Sequence, residues 1–462
     1  MHTPTADGDS RPSFWPRVRE FAVPPSMIET ATARRHAGDW AGACAAAGID
    51  IDLNLRSTAR THGHDLASRI RADLRHLAPD LLRWHMPRIA PDGLLRPGLT
   101  IPLARYDTAG HDDGTRPVHL VARTAPPWAD GGQRISLALW DGSRDGAGAC
   151  RHPRPRPDRR FRLDLHRHLW DARRTGELRL RHGAVGPPRS DGRAEDHRAD
   201  DGRATDRWAA EAQILLAAEG RSTGAVTVRL GARDRLVLEL VAAGDGAGPP
   251  TLRAAPGRAD GSASALPVLP DAATWVLPDL DLLRTGSITA DRLHPLVASA
   301  LVPDGSQAAA SRAPDRAGAP HLVECRGALH RIGLVDGVLA PLDHHPDEIR
   351  REELLAALSG TPMPCLQAID TAHRQPDCLT GVRERLAHGD TAGALAVVEG
   401  LLGPDAVLRD GALRDALEAA ALRRVTYGLF RAGLAGPGPG RIHPGAVRPR
   451  HHRPHPRQAH SA

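Results

Sequence analysis

The residues best suited to chemistry stand at Asp343-His344-His345, a carboxylate and two imidazoles. They lie between the strand-like GVLAPLD (337–343) and a helix that should open at Pro346. Upstream, Asp279-Leu280-Asp281 precedes Gly286-Ser287 and offers two further carboxylates. Smaller groups invite a metal reading. His62 and His64, at i and i+2 of one helix, would point roughly 200° apart and could not share an ion. Cys365, His373 and Cys378 lack a C-x-x-C pair and a well-spaced fourth partner, so buried, apolar cysteines are expected there. His321, Cys325 and His330 fall on predicted strands and carry the same expectation. No G-x-S-x-G, Walker A or dinucleotide-binding glycine pattern is present.

The tripeptide Asp343-His344-His345 resembles the motif that names the DHH phosphoesterases. That resemblance implies two divalent metals held by carboxylates and imidazoles. It makes Asp343 and His344 the catalytic candidates, and Asp279, Asp281, Asp343 and His344 the metal candidates. The sequence departs from the family pattern in two ways. Two residues too many separate Asp279-Leu280-Asp281 from Gly286-Ser287, and no intermediate motif is visible. The alternative is a plain strand-to-helix junction, with Pro346 in the first helical position and polar residues capping the helix. The junction is the reading we expect, with no metal or cofactor bound.

Composition narrows the field. A chain of 462 residues is long enough for two or three domains, each with its own core. Aromatic residues make up only 3%, so those cores must rest on Leu, Val and Ala. Six of the eight Trp lie in the first 170 residues, which places the densest packing there. All sixty-one Lys-plus-Arg cations are arginine and Asn54 is the only asparagine, a pattern that GC-rich coding explains. The net charge of +6 is uneven. The tail 435–462 holds five Arg and no acid, and Arg151–Arg174 holds nine Arg against three Asp, which leaves the remainder about five charges negative. Nucleic acid is therefore a possible partner through these two segments, by non-specific phosphate contact. Only Phe161 interrupts the first and no aromatic interrupts the second, so neither offers a stacking platform. Five scattered cysteines make no disulfide framework. The first twenty residues lack a signal-peptide core, and no apolar run is long enough to span a bilayer. A soluble, cytoplasmic protein with no membrane contact is the expectation.

The fold class expected is α+β. After a loose N-terminus (1–20), residues 21–182 should form an α+β domain with a helical nucleus over 21–88. In its third helix Leu66, Ile70, Leu74 and Leu77 line one face. Strands follow at 99–106, 118–124 and 134–141. A linker spans 183–205. A second α+β region, 206–343, should hold a helix at 206–219, a hairpin of 225–230 with 235–241, and a β-meander over 321–343. Residues 344–434 read as a helical domain. Ile349, Leu354, Leu355 and Leu358 should bury one face of its first helix, and Leu413, Leu417, Ala421, Val425 and Leu429 one face of its last. Segments 184–205, 244–265, 303–320 and 435–462 carry too little apolar area to offset chain entropy and are expected to lack stable structure.

Two stretches echo each other. ARRHAGDWAGACAAAG (33–48) and RERLAHGDTAGALAVVEG (383–400) share GD-x-AGA-x-A. In both, Gly-Asp should end one helix while Asp caps the next. The unit resembles the helix–turn–helix of tetratricopeptide-type arrays without their tandem 34-residue period, so two similar helical hairpins are expected rather than a solenoid. Long linkers, paired hairpins and the lack of a coherent site together favour a non-enzymatic protein-interaction or scaffold component of an assembly. The alternatives are nucleic-acid binding and a DHH-like metal-dependent phosphoesterase.

Overall fold

Periodicity set the helical nucleus correctly. Leu66, Ile70 and Leu74 are buried along the helix His64–His76, and Leu77 is buried just beyond it. Gly63, at φ 92°, separates this helix from Leu55–His62, a break that glycine makes at no steric cost. Asn54 caps the earlier helix by accepting from the backbone N–H groups of Arg56 and Ser57. Pro79 opens the next helix, Pro79–His85, in which every residue is buried. The computed structural model describes residues 14–107, 117–129, 131–142, 152–182, 197–230, 234–241, 250–255, 266–303, 321–379 and 381–436.

The protein is α+β. Thr100–Tyr106, Val118–Thr124 and Ile135–Trp140 form an antiparallel sheet, and Ile49–Ile51 joins it parallel to the last strand. The chain from 152 to 176 is largely irregular, yet it buries Phe161, Leu163, Leu169 and Trp170. The expected loose N-terminus is anchored from Phe14 onward, with Phe14, Trp15 and Val18 in the same core.

That core also takes in residues 272–298, far along the chain. Two buried polar pairs pin them. Arg19 donates to Asp279 at 2.8 Å and to the carbonyl of Trp84 at 2.8 Å, while Trp84 Nε1 donates to the other Asp279 oxygen at 3.1 Å. The Arg19 guanidinium lies over the Trp84 ring, 4.4 Å from its centroid. His294 Nε2 donates to Asp80 at 3.0 Å, and both side chains are buried. A smaller core joins the helix His197–Ala218 to the sheet Gly224–Arg229, Arg235–Val241 and Thr251–Ala254. The apolar clusters thus cross the boundaries drawn at 205 and 343: 272–298 pack with the N-terminal core, and the meander 321–341 packs with the C-terminal helices.

Several expectations need correction. The helix drawn from 206 starts at His197, inside the expected linker, and Thr251–Ala254 is a strand inside the expected 244–265 gap. Sheet pairing with Arg235–Val241 supplies what the local sequence lacks. The rest of these segments, residues 184–196, 244–249, 256–265, 304–320 and 437–462, lies outside the described residues. In the C-terminal unit the helix Pro346–Ser359 buries no residue at all. Along Ala412–Arg431, Leu413 is buried but Val425 and Leu429 are exposed. Spacing defines an apolar face; it does not supply a partner.

The two echoed hairpins match in detail. Asp39 accepts from Gly42 N at 2.8 Å and from Arg34 at 3.0 Å; Asp390 accepts from Gly393 N at 2.9 Å and from Arg385 at 3.1 Å. A Cβ on Gly42 or Gly393 would meet the capping carboxylate at 2.1 and 2.2 Å, which explains the shared glycine.

Two measurements follow from the buried polar groups. Asp279→Ala strands the Arg19 charge and is expected to cost about 3–5 kcal/mol in denaturant unfolding, whereas Arg19→Met with Asp279→Leu should cost far less. Burial holds His85 and His388 neutral, with pKa values pushed down to about 4. The unfolded chain binds their protons near pH 6.5, so stability should fall between pH 6.5 and 4 by up to about 1.4 kcal/mol per pH unit for each. A denaturant midpoint unchanged between pH 7 and pH 5 would contradict this.

Candidate metal centre

The C-terminal meander begins with His321–Cys325, which pairs with Ala328–Val335 and then Val338–Pro341. Tight turns at Arg326-Gly327 and Asp336-Gly337, all four residues at positive φ, fix the register. Strand alternation aims Val323, Cys325 and Ile332 inward. Cys325 ends its strand fully buried. The loop after Pro341 brings in His344, whose side chain is only 4% exposed. The helix Pro364–Arg374 contributes buried Cys365 from its first turn, and Met363 closes over the two cysteines.

These three side chains converge. His344 Nε2 lies 3.4 Å from Cys365 Sγ, and the two sulfurs and one ring nitrogen all lie within 4.8 Å of one another. It is the one such group of three His, Cys, Asp or Glu among the described residues. Glu348 Oε2 accepts from His344 Nδ1 at 3.4 Å, a long contact. His330 stacks on the His344 ring with centroids 4.2 Å apart. Arg326 holds Glu348 at 2.7 Å and also pairs with Glu352. Burial, reinforced by the neighbouring Cys325, pushes the Cys365 thiol up to about 12.

The carboxylates of the sequence candidates are elsewhere. Asp343 accepts from the Arg331 backbone N–H at 2.7 Å and from its guanidinium at 2.7 Å, which holds its carboxyl down to about 2. Asp279 is buried between Arg19 and Trp84. Asp281 is half-buried and outside the group. Neither Asp279, Asp281 nor Asp343 joins His344 in the converging group. His345 accepts from Asp347 N and caps the following helix, as a junction residue should. His62 and His64 sit in different helices, either side of Gly63. His373 stays apart from Cys365, and the exposed Cys378 donates to the carbonyls of Gln375 and Thr371.

The members of this group are spread over forty-one positions, in three different motifs, so no local spacing joins them. In the sequence Cys325 lies near His321 and His330, His344 beside Asp343, and Cys365 near His373 and Cys378. The signal that was available is strand alternation, which turns Cys325 toward the helices.

The described part of the basic stretch 152–174 is folded; its later arginines are engaged, while Arg154, Arg156 and Arg159 are exposed. Arg160 pairs with Asp271, Arg162 with Asp164 and Glu219, and Arg167 with Asp73 and Asp171. A cleft of about 520 Å³ lies between the two echoed hairpins, lined by Ala45, Arg83, Arg134, Asp390 and Tyr427. Several of its charges are satisfied internally: Arg134 and Tyr427 both bind Asp50, and Arg83 donates to the carbonyls of Ala22, Gln133 and His388. No helix among the described residues is long and apolar enough to cross a membrane. No protein-family model, curated protein or solved structure matches the chain.

Proposed function

We propose that the chain is a non-enzymatic protein-interaction component of a multi-protein assembly, and that its C-terminal unit carries the docking surface. The helix Pro346–Ser359 carries this reading: none of its fourteen residues is buried, and Leu354, Leu355 and Leu358 are 63%, 53% and 88% exposed. Fully burying one leucine is worth about 1.5–3 kcal/mol, so this face gains by meeting another molecule. The outer face of the meander has the same character. Leu322, Leu329, Val335 and Val338 alternate outward and are exposed, where a solvated antiparallel face ordinarily reads polar.

The chain itself has little with which to cover these surfaces. Residues 304–320 contain no Leu, Ile, Val or Phe, and 437–462 contain only Ile442 and Val447. The occupant is therefore a second protein with an apolar surface of its own. In keeping with a non-enzymatic role, Asp279 and Asp343 are each engaged by an arginine.

Affinity purification from the native host tests this with three proteins: wild type, the triple variant Leu354→Glu, Leu355→Glu, Leu358→Glu, and Leu180→Glu as a control on another exposed leucine. The triple variant should keep wild-type stability within about 0.5 kcal/mol, as surface changes do. It should lose a protein that the other two retain. Equal recovery by all three, or unfolding of the triple variant, would overturn the proposal. A wild-type dimer absent in the triple variant would identify the occupant as a second copy.

A further inference from the structure

We propose that Cys325, His344 and Cys365 bind one zinc-class ion through their two sulfurs and the His344 Nε2. A tetrahedral zinc with Zn–S of about 2.3 Å and Zn–N of about 2.0–2.1 Å sets its ligand atoms roughly 3.6–3.8 Å apart. The Nε2–Sγ distance of 3.4 Å and the mutual limit of 4.8 Å match that arrangement closely enough for small side-chain adjustments to complete it. The two cysteines are free thiols. Two sulfurs and one imidazole select a thiophilic, borderline ion over magnesium, calcium or manganese, which prefer oxygen. On binding, the two thiols release their protons to solvent and the neutral imidazole lends its Nε2 lone pair.

The surroundings fit a metal-binding histidine. A proton on His344 Nδ1, directed at Glu348, leaves Nε2 free to coordinate, and the carboxylate behind the ring is the usual outer partner of such a ligand. The stacked His330 fixes the plane of the ring, and Arg326 fixes Glu348. Three protein ligands leave the fourth tetrahedral position to water. The ion would join the end of the first meander strand, the loop before Pro346 and the first turn of Pro364–Arg374. It would thus anchor the base of a helix that buries none of its own residues. The metal site stands on its own geometry and does not depend on the docking surface.

Full-length, untagged protein loaded with cobalt(II) tests the site, because histidines at 451, 452 and 455 in the tail could hold zinc adventitiously. Wild type should show a thiolate-to-cobalt charge-transfer band together with the intense visible bands of a tetrahedral ion, and zinc should displace the cobalt one for one. Cys378→Ser, outside the group, should keep the full spectrum. Cys325→Ser and Cys365→Ser should lose the charge-transfer intensity, and Glu348→Gln should weaken zinc binding about 10–100-fold with the spectrum retained. Because the cysteine variants could misfold, the wild-type spectrum decides. Cobalt bound without a thiolate band, an isolated protein with Cys325 and Cys365 joined as a disulfide, or equal loss in Cys378→Ser would each overturn the site.

Discussion

The N-terminal half depends on one buried charge pair. Arg19 and Asp279 are 260 positions apart and both inaccessible to water, and each offsets part of the other's desolvation penalty. Around them the polar atoms are arranged to leave little charge unanswered: Trp84 supplies a carbonyl to the guanidinium and an indole N–H to the carboxylate. His294 and Asp80 form a second buried polar contact, with Asp80 on the helix that also carries Trp84. These pairs give little net stability over an apolar alternative, but they specify which distant segment must dock, and in which orientation. That is why 272–298 belong to the first core although the intervening chain forms a sheet of its own.

Arginine shapes this protein beyond that pair. Without lysine, every interior cation is a planar guanidinium that needs several acceptors. Arg83 and Arg88 meet the requirement with main-chain carbonyls, Arg83 with those of Ala22, Gln133 and His388 and Arg88 with those of Gly93 and Arg83. The His388 carbonyl belongs to the second hairpin, so one buried side chain ties the two halves of the molecule together. Within the basic stretch 152–174, Arg160, Arg162 and Arg167 are likewise held by carboxylates of the fold.

The C-terminal unit is built on the opposite plan. Its interior rests on few large side chains, among them Ile332, Leu339, Leu386, Leu402 and Leu413, while leucines of comparable size face water. A small sheet and short helices cannot enclose all the apolar surface their patterns create. The two features of this unit lie side by side: the Cys325, His344 and Cys365 group at the base of Pro346–Ser359, and the exposed leucines along its length.

Local structure was legible from sequence where one physical cause decides it. The strands over 99–141, the hairpin of 225–241, the meander, Pro79 and Pro346 at helix starts, and the two Asp caps follow from alternation, proline geometry and side-chain capping, which act within a few residues. Pro346, favoured in a first helical turn, also marked the helix start that His345 caps. What lay beyond it is every decision that needs two distant segments. Nothing near Asp279 says that Arg19 will neutralise it. No spacing rule finds Cys325, His344 and Cys365 together, because their meeting depends on the meander folding onto Pro364–Arg374. The exposure of Leu354, Leu355 and Leu358 is of the same kind. An apolar stripe is a property of the local sequence, but whether it is covered depends on the rest of the chain, and here the described residues do not cover it.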